Sequence, residues 1–144
     1  MGPPDHGLRR GQAGAGHLLS SPERLFDKAE ADAVLPRLET LIRGLQEAVA
    51  SDSVVEGRER LAQAGRSNGS PDAAASLFRA AADIQAVLDE IDEMGVILRD
   101  LGTGLCDFPG RREGRPIYLC WRLGEPEVGW WHPRDTGAAG RQPL

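Results

Sequence analysis

The chain has 144 residues, of which 40% are hydrophobic and 27% are charged, and it carries a net charge of −5. This length and composition predict one globular domain with a single modest core. No apolar run approaches the roughly 20 residues needed to cross a bilayer, so we expect no membrane association. A net negative charge disfavours binding to a polyanion, so nucleic acid is not an expected partner.

The N-terminal segment and the cysteines bear on location and domain limits. The first 22 residues contain no apolar core of a secretory signal, and two cysteines are too few for a disulfide scaffold. We therefore predict a cytoplasmic protein. Residues 1–22 are rich in Gly, Pro and Arg, which is typical of disorder. The sequence thus predicts a disordered N-terminal tail over residues 1–22 and one domain over residues 23–144.

Two amphipathic helices are predicted first. Asp27 and Glu30 have the spacing of a capping box at a helix start. The second helix is predicted to begin near Pro71 and to end at Gly95. The apolar residues of both segments recur at three- and four-residue spacing: Leu35, Leu38, Leu41, Ile42, Leu45 and Val49, then Leu77, Ala81, Ile84, Leu88 and Ile91. Residues 23–95 are therefore predicted to form an antiparallel helical hairpin.

After Gly95 the apolar period changes from 3.6 to 2. Four short runs, "VILRD", "LCDF", "PIYLCWRL" and "EVGWWH", are separated by turn-forming sequences. They predict an antiparallel β-meander over residues 96–133, followed by a C-terminal tail over residues 134–144. The predicted fold class is α+β, with a two-helix hairpin packed on a small C-terminal antiparallel meander.

Strand alternation predicts which side chains share a face of the sheet. A two-residue turn at Glu113-Gly114 places Asp107 opposite Cys120, and we take Leu123 to pair with Val128. The face predicted to pack on the helices then holds Cys106, Phe108, Ile117, Leu119, Trp121, Leu123, Val128, Trp130 and His132. The other face is predicted to hold Asp107, Tyr118, Cys120, Arg122, Gly129 and Trp131.

The candidate site combines residues of the second face with two nearby arginines and with His132 of the first face. Its residues are Asp107, Arg112, Arg115, Tyr118, Cys120, Arg122, Trp131 and His132. Aromatic rings flanked by arginines suit a planar or anionic ligand or a partner protein, so we predict a binding or interaction module rather than an enzyme. We also expect Arg122 to favour ionisation of the Cys120 thiol.

Three alternatives stay open. The face can be purely structural, with a cross-strand ion pair between Asp107 and Arg122. Cys120 can act as a nucleophile or redox group with His132 as its base, in a small enzyme. Cys106, Cys120 and His132, with Asp107 or Glu125 as a further ligand, can bind a metal. No closely spaced ligand pair supports this, so we predict neither a metal nor a cofactor. Surplus apolar surface on the helices predicts a homodimer.

The C-terminal half resembles a known family. "GLCDFPGRREGRPIYLCWRLGEPEVGWWH", the closing "GRQPL" and an N-terminal pattern with Phe26, Glu30, Ala31, Leu35, Pro36, Arg37 and Leu38 are similar to an uncharacterised bacterial family, the domain of unknown function 2203 family. The resemblance covers about residues 24–144. Ala138 and Ala139 depart from it, because family members often have an aromatic residue after the position of Gly137. The resemblance implies a shared fold and no particular activity. The C-terminal positions that carry it are Asp107, Phe108, Pro109, Arg112, Gly114, Arg115, Tyr118, Leu119, Cys120, Trp121, Arg122, Gly124, Glu125, Pro126, Trp131, His132, Gly140, Arg141, Gln142 and Pro143.

Overall fold

A computed structural model describes residues 23–51, 59, 62–63 and 71–144 of the chain. The predicted tail over residues 1–22 and most of the connection between the two helices lie outside these described residues. Within them, neither long helix has the length and apolar content needed to span a membrane.

Two long helices form the first half of the fold. Helix α1 spans Lys28–Val49 and helix α2 spans Pro71–Glu93. The predicted capping box is confirmed, since the Asp27 side chain accepts from the Glu30 backbone N–H and the Glu30 side chain accepts from the Asp27 N–H. An ion pair joins Arg37, in the first half of α1, to Glu90, near the end of α2. This pairing fits the predicted antiparallel hairpin.

The second half is a five-stranded antiparallel sheet with the strand order β1-β2-β3-β4-β5. Its strands are β1 (Ile97–Asp100), β2 (Leu105–Arg112), β3 (Arg115–Arg122), β4 (Trp130–Pro133) and β5 (Gln142–Pro143), with a 3₁₀ turn at Ala138–Gly140 before the last strand. The α+β fold with a C-terminal meander is therefore confirmed. The sequence predicts only a tail after residue 133, whereas the structure adds part of that segment to the sheet as β5.

Helix α1 lies across one face of the sheet, which we call the helix face. Leu38 and Ile42 are fully buried in one core with Phe108 and Trp121. Contacts at both ends fix the helix, since Asp32 Oδ1 accepts from the Val128 N–H at 2.7 Å and Gln46 Nε2 donates to the Leu101 carbonyl at 2.9 Å. Helix α2 is more peripheral, and in its predicted stripe only Ile91 is fully buried.

The chain just before α1 also joins the sheet. Phe26 donates its backbone N–H to the Pro109 carbonyl at 2.7 Å, beyond the point where β1 stops pairing with β2. A Cβ at Gly110 would lie 2.9 Å from the Phe26 carbonyl oxygen. Glycine at this position therefore lets the two backbones approach each other closely.

The strand registers decide where the candidate residues lie. Between β2 and β3, Asp107 lies opposite Cys120 and Cys106 opposite Trp121, as predicted. Between β3 and β4 the predicted register is wrong by one residue, because Cys120 pairs with Trp130 and Tyr118 with His132. Trp130 and His132 therefore lie on the opposite face from the helices, and Trp131 lies on the helix face. The cause is the β3–β4 connection, which spans seven residues (123–129) instead of closing through a tight pair of Leu123 and Val128.

Candidate functional site

The structure divides the candidate residues into two groups on opposite faces of the sheet. Alternation along β2, β3 and β4 puts Asp107, Tyr118, Cys120, Arg122 and His132 on the open face, away from the helices. It puts Arg112, Arg115 and Trp131 on the helix face, at the tip of the β2–β3 hairpin. The one candidate site predicted from sequence is thus divided into two sites on opposite faces of the sheet.

Three buried side chains on the open face form a compact group, which we call the polar cluster: Asp107, Cys120 and His132. They are 3%, 0% and 1% exposed, and their ligand atoms lie within 4.8 Å of one another. They come from three adjacent strands, so the sheet register itself brings them together. His132 Nε2 lies 3.1 Å from Asp107 Oδ1. Cys106 is on the helix face, so the metal set that combines it with Cys120 and His132 does not form.

The partners of His132 constrain its protons. Nδ1 lies 2.8 Å from the Pro133 carbonyl oxygen, which can only accept a hydrogen bond. Nδ1 must therefore carry a hydrogen. Nε2 faces the Asp107 carboxylate, which as an anion is also an acceptor. Two acceptors face each other here, and either a hydrogen or a metal ion between Nε2 and Oδ1 would make the contact favourable.

Asp107 is held from its other side by an arginine that sequence reasoning missed. Arg99 Nε donates to Asp107 Oδ2 at 2.9 Å, and the Arg99 guanidinium lies 5.1 Å from the centre of the Tyr118 ring. The predicted alternative of an ion pair between Asp107 and Arg122 is therefore wrong. Arg99 lies in a β-bulge of β1, between Leu98 and Asp100, which simple alternation cannot locate.

Two further arginines pack on the aromatic rings of this face. Arg134 lies 4.6 Å from the centre of the Tyr118 ring and pairs with Glu23 through both terminal nitrogens. Arg141 lies 4.8 Å from the centre of the Trp130 ring and donates to Glu125 Oε1 at 2.9 Å. The sequence signal for Arg141 was its place in the closing "GRQPL" motif, but it offers no indication that the side chain reaches back to β3.

The Cys120 thiol is not activated by its surroundings. Burial raises its pKa to about 11, and this effect outweighs the nearby Arg141 charge, which lowers it. Asp107 adds to the rise through its charge and a hydrogen bond. The prediction that Arg122 makes the Cys120 thiol easier to ionise is wrong. The pKa is raised, the cation near the thiol is Arg141, and Arg122 is exposed at the end of β3. At neutral pH Cys120 is a protonated thiol, which does not favour the nucleophile alternative.

The second site is an open cavity of about 590 Å³ on the helix face, which we call the hairpin groove. Its lining is about half polar and half apolar, and Arg112 lies 4.8 Å from the centre of the Trp131 ring. Stacking of a guanidinium on an aromatic face leaves its N–H edges free to bind a carboxylate or a phosphate. The groove is lined by Arg112, Glu113, Arg115, Pro116, Ile117, Trp131 and Pro133.

The tip of the β2–β3 hairpin concentrates positive charge. Arg112 and Arg115 are directly opposite each other across the two strands, and neither forms an ion pair with any described residue. Arg111 adjoins them, so three arginines and one glutamate, Glu113, occupy a short stretch of a chain whose net charge is −5. Like charges placed directly opposite each other in a sheet are destabilising.

Comparison with known proteins identifies the family. A family model described as an uncharacterized conserved protein, DUF2203, matches residues 24–144. No curated protein and no solved structure matches the chain. Both the polar cluster and the hairpin groove lie within the matched residues, and the chain belongs to the DUF2203 family.

Proposed function

We propose that this protein is a binding module whose hairpin groove recognises the carboxylate or phosphate group of a small anionic ligand. The observation that carries the proposal is the pair of opposed arginines, Arg112 and Arg115, with no carboxylate partner among the described residues and with Arg112 stacked on Trp131. An anion placed between the two guanidinium groups would neutralise their repulsion and accept charge-assisted hydrogen bonds from both.

The lining of the groove supports a ligand that also has an apolar or planar part. Trp131, Ile117 and two prolines form its apolar surface beside the arginines. Small-molecule sites commonly combine apolar and aromatic lining with a few placed polar groups. A long polyanion fits less well, because the molecule as a whole carries a charge of −5 and would repel it.

We also propose that the protein is cytoplasmic, which its cysteines support. Both cysteines are free and lie on opposite faces of the sheet, so they cannot bridge each other. Free buried thiols fit a reducing compartment.

The test is a calorimetric titration of the full chain with each of three probes: phenyl phosphate, benzoate and inorganic phosphate. We expect phenyl phosphate to bind more tightly than inorganic phosphate, because its ring contacts the apolar lining. Comparison of benzoate with phenyl phosphate distinguishes a carboxylate site from a phosphate site. Arg112→Gln or Arg115→Gln is expected to weaken binding about 10- to 100-fold, since a hydrogen bond to a charged group contributes about 1.5–3 kcal/mol.

Arg122→Gln is the matched control. It removes the same charge from an exposed arginine at the other end of β3. We expect it to leave the affinity unchanged. Equal losses in Arg122→Gln and Arg115→Gln would show diffuse charge attraction and would contradict the proposal, as would the absence of binding of all three probes to the wild type.

A further inference from the structure

We infer that Asp107, Cys120 and His132 form a binding site for a borderline-soft divalent metal ion such as Zn²⁺ or Co²⁺. The three donor atoms already lie within 4.8 Å of one another. Metal–ligand bonds of about 2.0–2.3 Å in a tetrahedral site separate the donors by roughly 3.3–3.8 Å. Binding therefore requires the widest pair in the cluster to close by about 1 Å.

The orientation of His132 suits ligation. Its Nδ1–H donates to the Pro133 carbonyl, which leaves the Nε2 lone pair directed at the cluster. Histidines that ligate metals almost always donate their other ring N–H to a carbonyl or a carboxylate in this way. A metal ion at Nε2 would also remove the unfavourable contact between two acceptors, Nε2 and the Asp107 carboxylate.

Asp107 is also oriented by a neighbour. Arg99 donates to Oδ2, and Oδ1 is the oxygen that faces His132. Ligating carboxylates are commonly held by such a second partner. The arrangement assigns one oxygen to the arginine and leaves the other for the ion.

The donor types select the ion. A thiolate and an imidazole with a single carboxylate oxygen suit Zn²⁺ or Co²⁺, whereas Ca²⁺ and Mg²⁺ prefer oxygen donors alone. Binding displaces one proton from the Cys120 thiol to solvent, and the resulting thiolate and the Asp107 carboxylate balance the two charges of the ion. Three protein ligands leave one position of a tetrahedral ion free, which is the pattern of exchangeable rather than closed structural zinc sites.

The alternative to a metal is a proton. In that arrangement His132 is an imidazolium between Asp107 and the Pro133 carbonyl, and the cluster is a buried ion network with Arg99. The two states are mutually exclusive at Nε2, so one experiment separates them.

The experiment is a Co²⁺ titration of the full chain, freed of metal beforehand with a chelator. We expect one equivalent of Co²⁺ to bind, with a thiolate-to-cobalt charge-transfer band in the near ultraviolet and the visible bands of a tetrahedral site. The chain has only two cysteines, so two variants assign the band. Cys106→Ala leaves Cys120 as the sole thiol and is expected to keep the band. Cys120→Ala is expected to lose the band and to bind Co²⁺ more than about 100-fold more weakly, because it removes a ligand rather than a group that orients one.

The wild-type spectrum keeps the inference testable even if a variant does not fold. A wild type that is folded by circular dichroism and shows no charge-transfer band in excess Co²⁺ overturns it. A band that survives in folded Cys120→Ala and disappears in folded Cys106→Ala overturns it as well. Arg112→Gln serves as an independent check, because it lies in the hairpin groove and is expected to keep the Co²⁺ band while it loses anion affinity. The two proposals can therefore fail separately.

Discussion

Trp121 and Trp131 both lie on the helix face of the sheet, but only Trp121 is closed off from solvent. Trp121 is 1% exposed in the core, and its Nε1–H donates to the Glu125 carbonyl at 3.0 Å. Trp131 is half-buried beneath Arg112 in the hairpin groove. The same residue type therefore has a structural role in one position and a candidate binding role in the other.

Replacing each tryptophan by alanine is expected to separate these roles. Trp121→Ala should lower the free energy of unfolding by about 3–5 kcal/mol, as large truncations in a core do. Trp131→Ala should cost clearly less, while it weakens the binding of phenyl phosphate. Urea denaturation and calorimetry measure the two effects, and equal losses of stability would contradict the assignment.

The two buried thiols make the free energy of unfolding depend on pH in the alkaline range. Burial raises the pKa of Cys106 from 9.0 to about 12 and that of Cys120 from 9.0 to about 11. Below pH 9 both the folded and the unfolded chain keep these protons. Above pH 9, and up to the raised pKa of each thiol, only the unfolded chain loses these protons. The free energy of unfolding therefore falls as the pH rises.

We therefore expect the urea midpoint of the wild type to fall from about pH 9 towards about pH 11, as the thiols of the unfolded chain ionise and those of the folded chain do not. Cys120→Ala should show a shallower decline, because one of the two raised pKa values is gone. All other titratable residues are the same in both proteins, so they do not contribute to the difference between the two slopes. An identical slope in both would mean that Cys120 ionises normally in the folded state.

At the scale of the elements, the turn between β2 and β3 combines register control with strain. Glu113 and Gly114 have φ values of +52° and +79°, which is the left-handed conformation that short hairpins require. Gly114 adopts it freely, whereas Glu113 does so at a cost. Glu113 also contributes a negative charge to the lining of the hairpin groove.

Glu113→Asn is expected to stabilise the protein by about 0.5–1 kcal/mol, because asparagine tolerates this conformation better. It should also increase affinity for phenyl phosphate by removing a carboxylate from the groove. Glu113→Gln is the matched control, since it removes the charge without relieving the backbone and should change affinity alone. If the glutamine variant gains as much thermal stability as the asparagine variant, backbone strain is not the cause.

The two hairpins also show how far the sequence predicts the site. The Glu113-Gly114 turn is short enough for alternation to place Asp107 opposite Cys120 correctly. The β3–β4 connection depends instead on tertiary contacts, including the Asp32 carboxylate that binds the Val128 N–H. Apolar patterning does not encode such contacts, and a shift of one residue reverses the face of every side chain in β4. For this reason the sequence predicts His132 and Cys120 on opposite faces of the sheet, whereas the structure places them on the same face.

At the scale of the whole molecule, the expected homodimer stays a prediction, and helix α2 is where we propose that it forms. Leu77, Ile84 and Leu88 of the predicted stripe are only partly buried, and Phe78 on the same helix is 77% exposed. Pairing two such helices would bury this surface.

We expect light scattering at micromolar concentration to show a dimer, and Phe78→Glu to shift it toward the monomer. Leu144→Glu, at an exposed apolar residue of the C-terminal segment, should leave the dimer intact, and a monomeric wild type would contradict the proposal.

The short outer strands bear on how copies of this chain can meet. Strand β5 has two residues and ends at Pro143, which has no N–H to offer a neighbour. On the other side β1 has four residues and a bulge, and Phe26 occupies the neighbouring carbonyl of β2. Both edges are thus poor templates for adding a strand from another molecule, the usual route to edge-to-edge aggregation. We expect self-association to leave the sheet at five strands per copy, with no fibrous extension even when the protein is concentrated.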